Sequence, residues 1–106
     1  MYKVLFTKTA NEAIDDQVAY YRSEQVPEGT IIDWLLGLLE QIDRLDEMPR
    51  RFPVAETVSM AKGYPVHRLN FGVHAVYYRV HDDRCVVEIL GFRHGRQLPW
   101  LEDESV

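Results

Sequence analysis

Nine side chains that carry or can take up positive charge crowd into the stretch from Val66 to Arg96: His67, Arg68, His74, Arg79, His81, Arg84, Arg93, His94 and Arg96. All four histidines of the chain are among them. Imidazole changes its charge near neutral pH, and guanidinium grips planar oxyanions with a rigid fork of donors. A segment that collects both is suited to meet something anionic. Metal binding is a poor match, because the histidines share no tight ligand spacing and no CxxC or HxxxH pattern occurs. No glycine-rich phosphate loop is present. Ser59-x-x-Lys62 is too short and common a pattern to mark a serine nucleophile. No cofactor is implied.

The rest of the chain contrasts with that segment. Residues 1–49 hold four basic and ten acidic side chains, net −6, whereas residues 50–96 hold eight basic and four acidic, net +4. An acidic tail at 102–106 adds −3, so the formal total of −5 hides a basic region. Local fields steer partners more than the total does. A chain of 106 residues makes one domain, 1–106, with one modest core. No run of about 18 apolar residues spans a membrane, and the first residues, MYKVLFTKTANE, lack the apolar core of a signal peptide. Cys85 is the only cysteine and is expected to be a small buried hydrophobe in a strand. The expected compartment is the cytoplasm.

Periodicity supplies the elements that must position these groups. Tyr2–Lys8 alternates as a strand. Thr9 and Glu12 have the spacing of a capping box, and Ala10, Ala13, Ile14, Val18 and Tyr21 form the apolar stripe of a helix after it. Gln25–Gly29 breaks that helix. A second runs from about Thr30 to Glu47, with Ile31, Ile32, Leu35, Leu38, Leu39, Ile42 and Leu45 on a broad apolar face and Trp34 near its edge. Pro49 and Pro53 make a loop. Thr57–Met60 is read as the return to the sheet, and strands follow at Val66–Phe71, His74–Val80 and Arg84–Phe92, turning at Gly72 and Asp82-Asp83. The order β-α-α-β-β-β predicts an α+β fold in which a helical hairpin covers one face of a small, mainly antiparallel sheet.

In this order and spacing the chain resembles the RelE/ParE superfamily of type II toxin–antitoxin toxins, also called plasmid-stabilisation proteins. The residues that carry the resemblance are Ala13-Ile14-Asp15-Asp16 with Tyr20-Tyr21 on the first helix, and Leu45-Asp46-Glu47-Met48-Pro49 closing the second. Val66-His67-Arg68-Leu69, Val76-Tyr77-Tyr78-Arg79-Val80 and Glu88-Ile89-Leu90 running into Phe92-Arg93-His94-Gly95-Arg96 complete it. The resemblance implies a growth inhibitor neutralised by an antitoxin encoded beside it. One branch of the superfamily cleaves mRNA in the ribosome; the other inhibits DNA gyrase.

Cleavage by a 2′-hydroxyl needs a base, an acid and a cation to stabilise the phosphorane. If the chain is a nuclease, metal-independent, the resemblance makes Arg68, His94 and Arg96 its catalytic candidates, with Arg93 as a further phosphate contact. Tyr78 matches the family's strand tyrosine, a position that is often structural. One departure counts against this branch: three residues before Tyr78, where the nucleases usually carry an arginine, stands Ala75. His74 substitutes only if the strand register slips by one residue, which turns it to the opposite face.

Weight therefore shifts to target inhibition of the gyrase type, which needs a surface rather than a triad. Arg93, Arg96, Leu98 and Trp100 are the target-binding candidates, since tryptophan and arginine are enriched at interface hot spots. Tyr20, Tyr21 and Trp34 on the helical hairpin are the antitoxin-binding candidates. The open edge or basic face of the sheet is a second docking site. The alternatives are a ribosome-dependent mRNA endoribonuclease and an inactive member that keeps only antitoxin binding. The sequence leaves open whether the free chain dimerises.

Overall fold

The computed structural model describes residues 1–95. Strand β1 (Lys3–Phe6) turns Val4 and Phe6 inward and leaves Lys3 and Leu5 exposed. It runs directly into helix α1 (Lys8–Ser23), whose N-cap is Thr7: the Thr7 Oγ1 accepts from the Ala10 amide at 3.1 Å. The expected capping box at Thr9 and Glu12 is thereby corrected, because Thr9 lies inside the first turn. Thr7 prevails through a bond that local spacing cannot reveal. Its hydroxyl also donates to the Ile89 carbonyl at 2.8 Å, fixing the helix start to a distant strand.

Helix α2 (Glu28–Asp43) begins slightly before Thr30, after a break in which Gln25 takes a left-handed φ of 62°. It ends in a 3₁₀ turn, Arg44–Asp46, that buries Leu45 completely. The segment expected to resume the sheet at Thr57–Met60 is instead helix α3 (Glu56–Lys62). Its short stretch buries only Val58. Glu56 in its first turn and Lys62 in its last match the helix dipole, and Gly63 closes it at φ 83°.

Three strands follow: β2 (His67–Phe71), β3 (His74–His81) and β4 (Val86–His94). Gly72, at φ 59°, makes the first hairpin turn. Cys85 sits in the second turn at φ 52° and is exposed, which corrects the expectation of a buried thiol. The reason is positional, since the strand starts one residue after it.

The sheet order is β1-β4-β3-β2, with β1 parallel to β4 and the other neighbours antiparallel. Helices α1 and α2 cover one face over a core of Ala10, Ile14, Leu38, Ile42, Leu69, Val76, Tyr78 and Ile89. On the opposite face α3 lies over a smaller cluster of Val58, Val66, Ala75 and Tyr77. The α+β expectation therefore stands, with a third helix added behind the sheet. A polar clasp joins the chain's distant parts: the Tyr2 hydroxyl donates to Asp82 Oδ1 at 2.8 Å, and Arg50 forks onto both oxygens of the same carboxylate. Among the described residues no helix is long and apolar enough to cross a membrane.

Candidate functional site

Strand alternation and register decide which groups can work together. Directly paired residues in an antiparallel ladder share a face, and successive residues alternate. Arg68 pairs with Tyr77 and Arg93 with Ala75, while Tyr77 and Arg79 are two apart on β3. Arg68, Arg79 and Arg93 therefore all lie on the α3 side of the sheet. Two of them rest on aromatic rings: Arg79 is 3.8 Å from the Tyr64 centroid and Arg68 is 5.7 Å from that of Tyr77. Arg68 Nε also donates to Asn70 Oδ1 at 2.9 Å. Asn70, two residues on and on the same face, was not singled out from the sequence, although alternation alone would have placed it there.

His94 lies on the other face. It pairs with His74, and the two rings meet edge to face at 5.4 Å. His74 is 2% exposed and stacks on Phe92 at 4.8 Å. Burial, with His94 adding to it, holds the His74 imidazole below its ordinary pKa. Its Nε2 has no hydrogen-bond partner. The register is fixed, so His74 faces the helices and does not take the place of the absent arginine. Ala75 itself is 1% exposed and belongs to the cluster beneath α3.

The two faces meet at the end of the sheet. A shallow depression of about 380 Å³ there is lined by Arg68, Asn70, His74 and His94, with Gly72 and Gly95 at its rim. It brings the catalytic candidates Arg68 and His94 to one place from opposite faces. A guanidinium and an imidazole so placed can hold an anion. Cleavage needs more, and the family's tyrosine is not free to supply it: Tyr78 is fully buried, donates its hydroxyl to the Pro49 carbonyl at 2.6 Å, and has its pKa pushed up to about 12 by burial. The remaining candidates, Arg96, Leu98 and Trp100, lie outside the described residues.

Of the hairpin candidates, Tyr20 is exposed and Tyr21 half-buried. Trp34 is a packing hub. Its ring contacts Tyr21 at 5.2 Å, His74 at 5.5 Å, Phe92 at 5.9 Å and Phe71 at 6.4 Å. It joins the two helices to the sheet. The apolar face expected of α2 divides in two. Ile31, Leu38 and Ile42 are buried, while Ile32 and Leu39 are exposed to solvent, as is Leu36, which the expected face did not include.

Residues 4–99 match the family described as ParE toxin of type II toxin–antitoxin system, parDE. Among solved structures, the chain is similar in fold to a chain of the RelBE2 toxin–antitoxin complex of Mycobacterium tuberculosis, with a TM-score of 0.51 and 18% identity over 88% of this chain and 96% of that one. No curated protein matches.

Proposed function

Because the chain belongs to the ParE toxin family of type II toxin–antitoxin systems, we propose that it is a cytoplasmic growth inhibitor, held in check by a cognate antitoxin, that acts by binding DNA gyrase rather than by cutting mRNA. The observation that carries the choice is Ala75. At the position where the nuclease branch places a phosphate-clamping arginine, this chain has a methyl group buried under α3. Loss of one such cation costs a rate factor of about 10² or more. The basic face with Arg68, Arg79 and Arg93 then serves as a binding surface, where charge speeds encounter with an acidic or phosphate-bearing target.

The test is controlled expression with and without the neighbouring gene, reading growth and message integrity from one culture, followed by a supercoiling assay with purified gyrase. Growth arrest with intact messages and lost supercoiling is the expected result. New cuts in mRNA near the ribosomal A site would overturn it in favour of the nuclease reading, which the joint lining of the end depression by Arg68 and His94 favours. Expression without arrest would leave a member that only binds its antitoxin.

A further inference from the structure

Strand β3 outruns its neighbour β2. The last pair they make at this end is Tyr78 with His67, yet β3 continues through Arg79 and Val80 to His81. A notch of about 220 Å³ is left beside the start of β2, lined by Arg50, Pro65, His67, Arg79 and Val80. It lies at the opposite end of the β2–β3 ribbon from the depression at Gly72.

None of the five lining residues is acidic, and two carry guanidinium groups. Arg50 is held in place by its fork onto Asp82, which takes only part of a set of five N–H donors. Arg79 rests 3.8 Å from the Tyr64 centroid and has no ion pair among the described residues. Glu88, its cross-strand partner, is engaged by His81 at 2.8 Å. Two guanidiniums against the one Asp82 carboxylate leave the notch with an excess of positive charge, which draws in an anion.

His67 decides which anion. Its ring is 6% exposed, and its Nδ1 donates to the Phe52 carbonyl at 2.7 Å. The polar atom left on the ring is Nε2, which has no hydrogen-bond partner among the described residues. With the proton of a neutral ring on Nδ1, Nε2 is an acceptor. Sulfate and phosphodiesters offer it only lone pairs. A phosphomonoester has lost its last acidic proton above a pKa of about 6. Inorganic phosphate keeps an O–H throughout the neutral range, so it alone of these both accepts from the arginines and donates to the imidazole.

We propose that this notch is a binding site for inorganic phosphate, held by the Arg50 and Arg79 guanidiniums and donating its own O–H to Nε2 of His67. The site goes beyond the toxin reading and does not need it, because binding by the isolated chain is the readout. Its occupant ties the proline loop to the start of β2 and the end of β3.

The test is calorimetric titration of the full chain at about pH 7.5, above the last pKa of an ester, with inorganic phosphate, sulfate and adenosine monophosphate at matched ionic strength. Phosphate is expected to saturate one site, with sulfate and the nucleotide about 10-fold weaker or more, the worth of one hydrogen bond to a charged group. Thermal melts should rise further in phosphate than in sulfate. Both salts stabilise proteins by exclusion from their surfaces, so the difference between them reads the site. Arg79→Ala is expected to lower phosphate affinity about 10-fold or more, and Arg79→Lys to recover part of it, since an ammonium restores the charge without the fork. His67→Asn keeps a donor for the Phe52 carbonyl, removes Nε2 and should abolish the preference over sulfate; melts check that each variant folds. The absence of saturable phosphate binding overturns the proposal, and so does an affinity that Arg79→Ala leaves unchanged. Equal binding of sulfate marks an adventitious ion only and overturns it as well. Tighter binding of the nucleotide overturns inorganic phosphate as the ligand.

Discussion

The Tyr78 hydroxyl donates to the Pro49 carbonyl at 2.6 Å, joining the middle of the sheet to the proline loop 29 residues earlier. Proline has no amide hydrogen of its own to offer, so its loop is held by what its carbonyls accept. Phe52 contributes a second such anchor, its carbonyl accepting from Nδ1 of His67 at 2.7 Å, and the His67 ring stacks on Tyr78 at 5.2 Å. These bonds give the buried tyrosine a structural role.

Replacing Tyr78 by Phe is therefore expected to cost about 1–2 kcal/mol, the penalty of leaving the Pro49 carbonyl buried without its donor. Growth arrest by the variant should persist as long as it folds. Chemical denaturation and the plate assay together check this; loss of arrest in a variant as stable as wild type would return Tyr78 to the functional site.

His74 makes stability depend on pH. Its folded pKa is lowered, so the unfolded chain binds a proton more readily than the folded one. The contribution is complete above the ordinary imidazole value near 6.5 and is lost as pH falls below it. Unfolding free energy should drop between about pH 7 and 5. His74→Phe keeps a ring to stack on Phe92, removes the titrating nitrogen, and should flatten that slope. An unchanged slope assigns the dependence to other groups.

Restoring an arginine at position 75 should not restore a nuclease. Ala75 is buried against Val58, Val66 and Tyr77, so Ala75→Arg forces a long charged side chain under α3. The expected penalty is about 3 kcal/mol or more, from overpacking and charge burial combined. A soluble, fully stable Ala75→Arg protein with new RNA cleavage would contradict both the packing and the gyrase proposal.

The hairpin turn gives a backbone test. Gly72 has φ 59° and open space where a Cβ would go. Gly72→Ala should thus cost only the left-handed strain, about 1–2 kcal/mol. A circular-dichroism melt would register this as a few degrees, with the fold unchanged.

Much of this architecture can be read from periodicity. The alternation of Val4 and Phe6, the i, i+3, i+4 stripe through Ala10 and Ile14, and the turn at Gly72 each report a local preference that tertiary packing reinforces. The misreadings have non-local causes. Thr7 caps α1 because Ile89 accepts its hydroxyl. Thr57–Met60 has the β-branched residues of a strand, but α3 needs only Val58 as an anchor. Exposed Ile32 and Leu39 looked like core because a helical stripe does not say how much of its width the sheet will cover. At the candidate site, the positions of Arg68 and His94 were legible while their faces were not. Only the pairing of Arg68 with Tyr77 and of His94 with His74 separates them.

Strand β4 lies between β1 and β3, so the last strand in chain order among the described residues is an inner member of the sheet. A ribosome making this chain releases β1, the helical hairpin and the β2–β3 ribbon before the piece that joins them. Until Val86–His94 emerges, β1 has no strand to pair with and the apolar side of the hairpin has only part of its floor. The described sheet therefore closes only once β4 has been made, and until then a growing chain cannot present it to any partner. For a member of a toxin family this is a delay written into topology. A premature stop anywhere before β4 leaves the sheet unclosed and the core exposed to proteolysis.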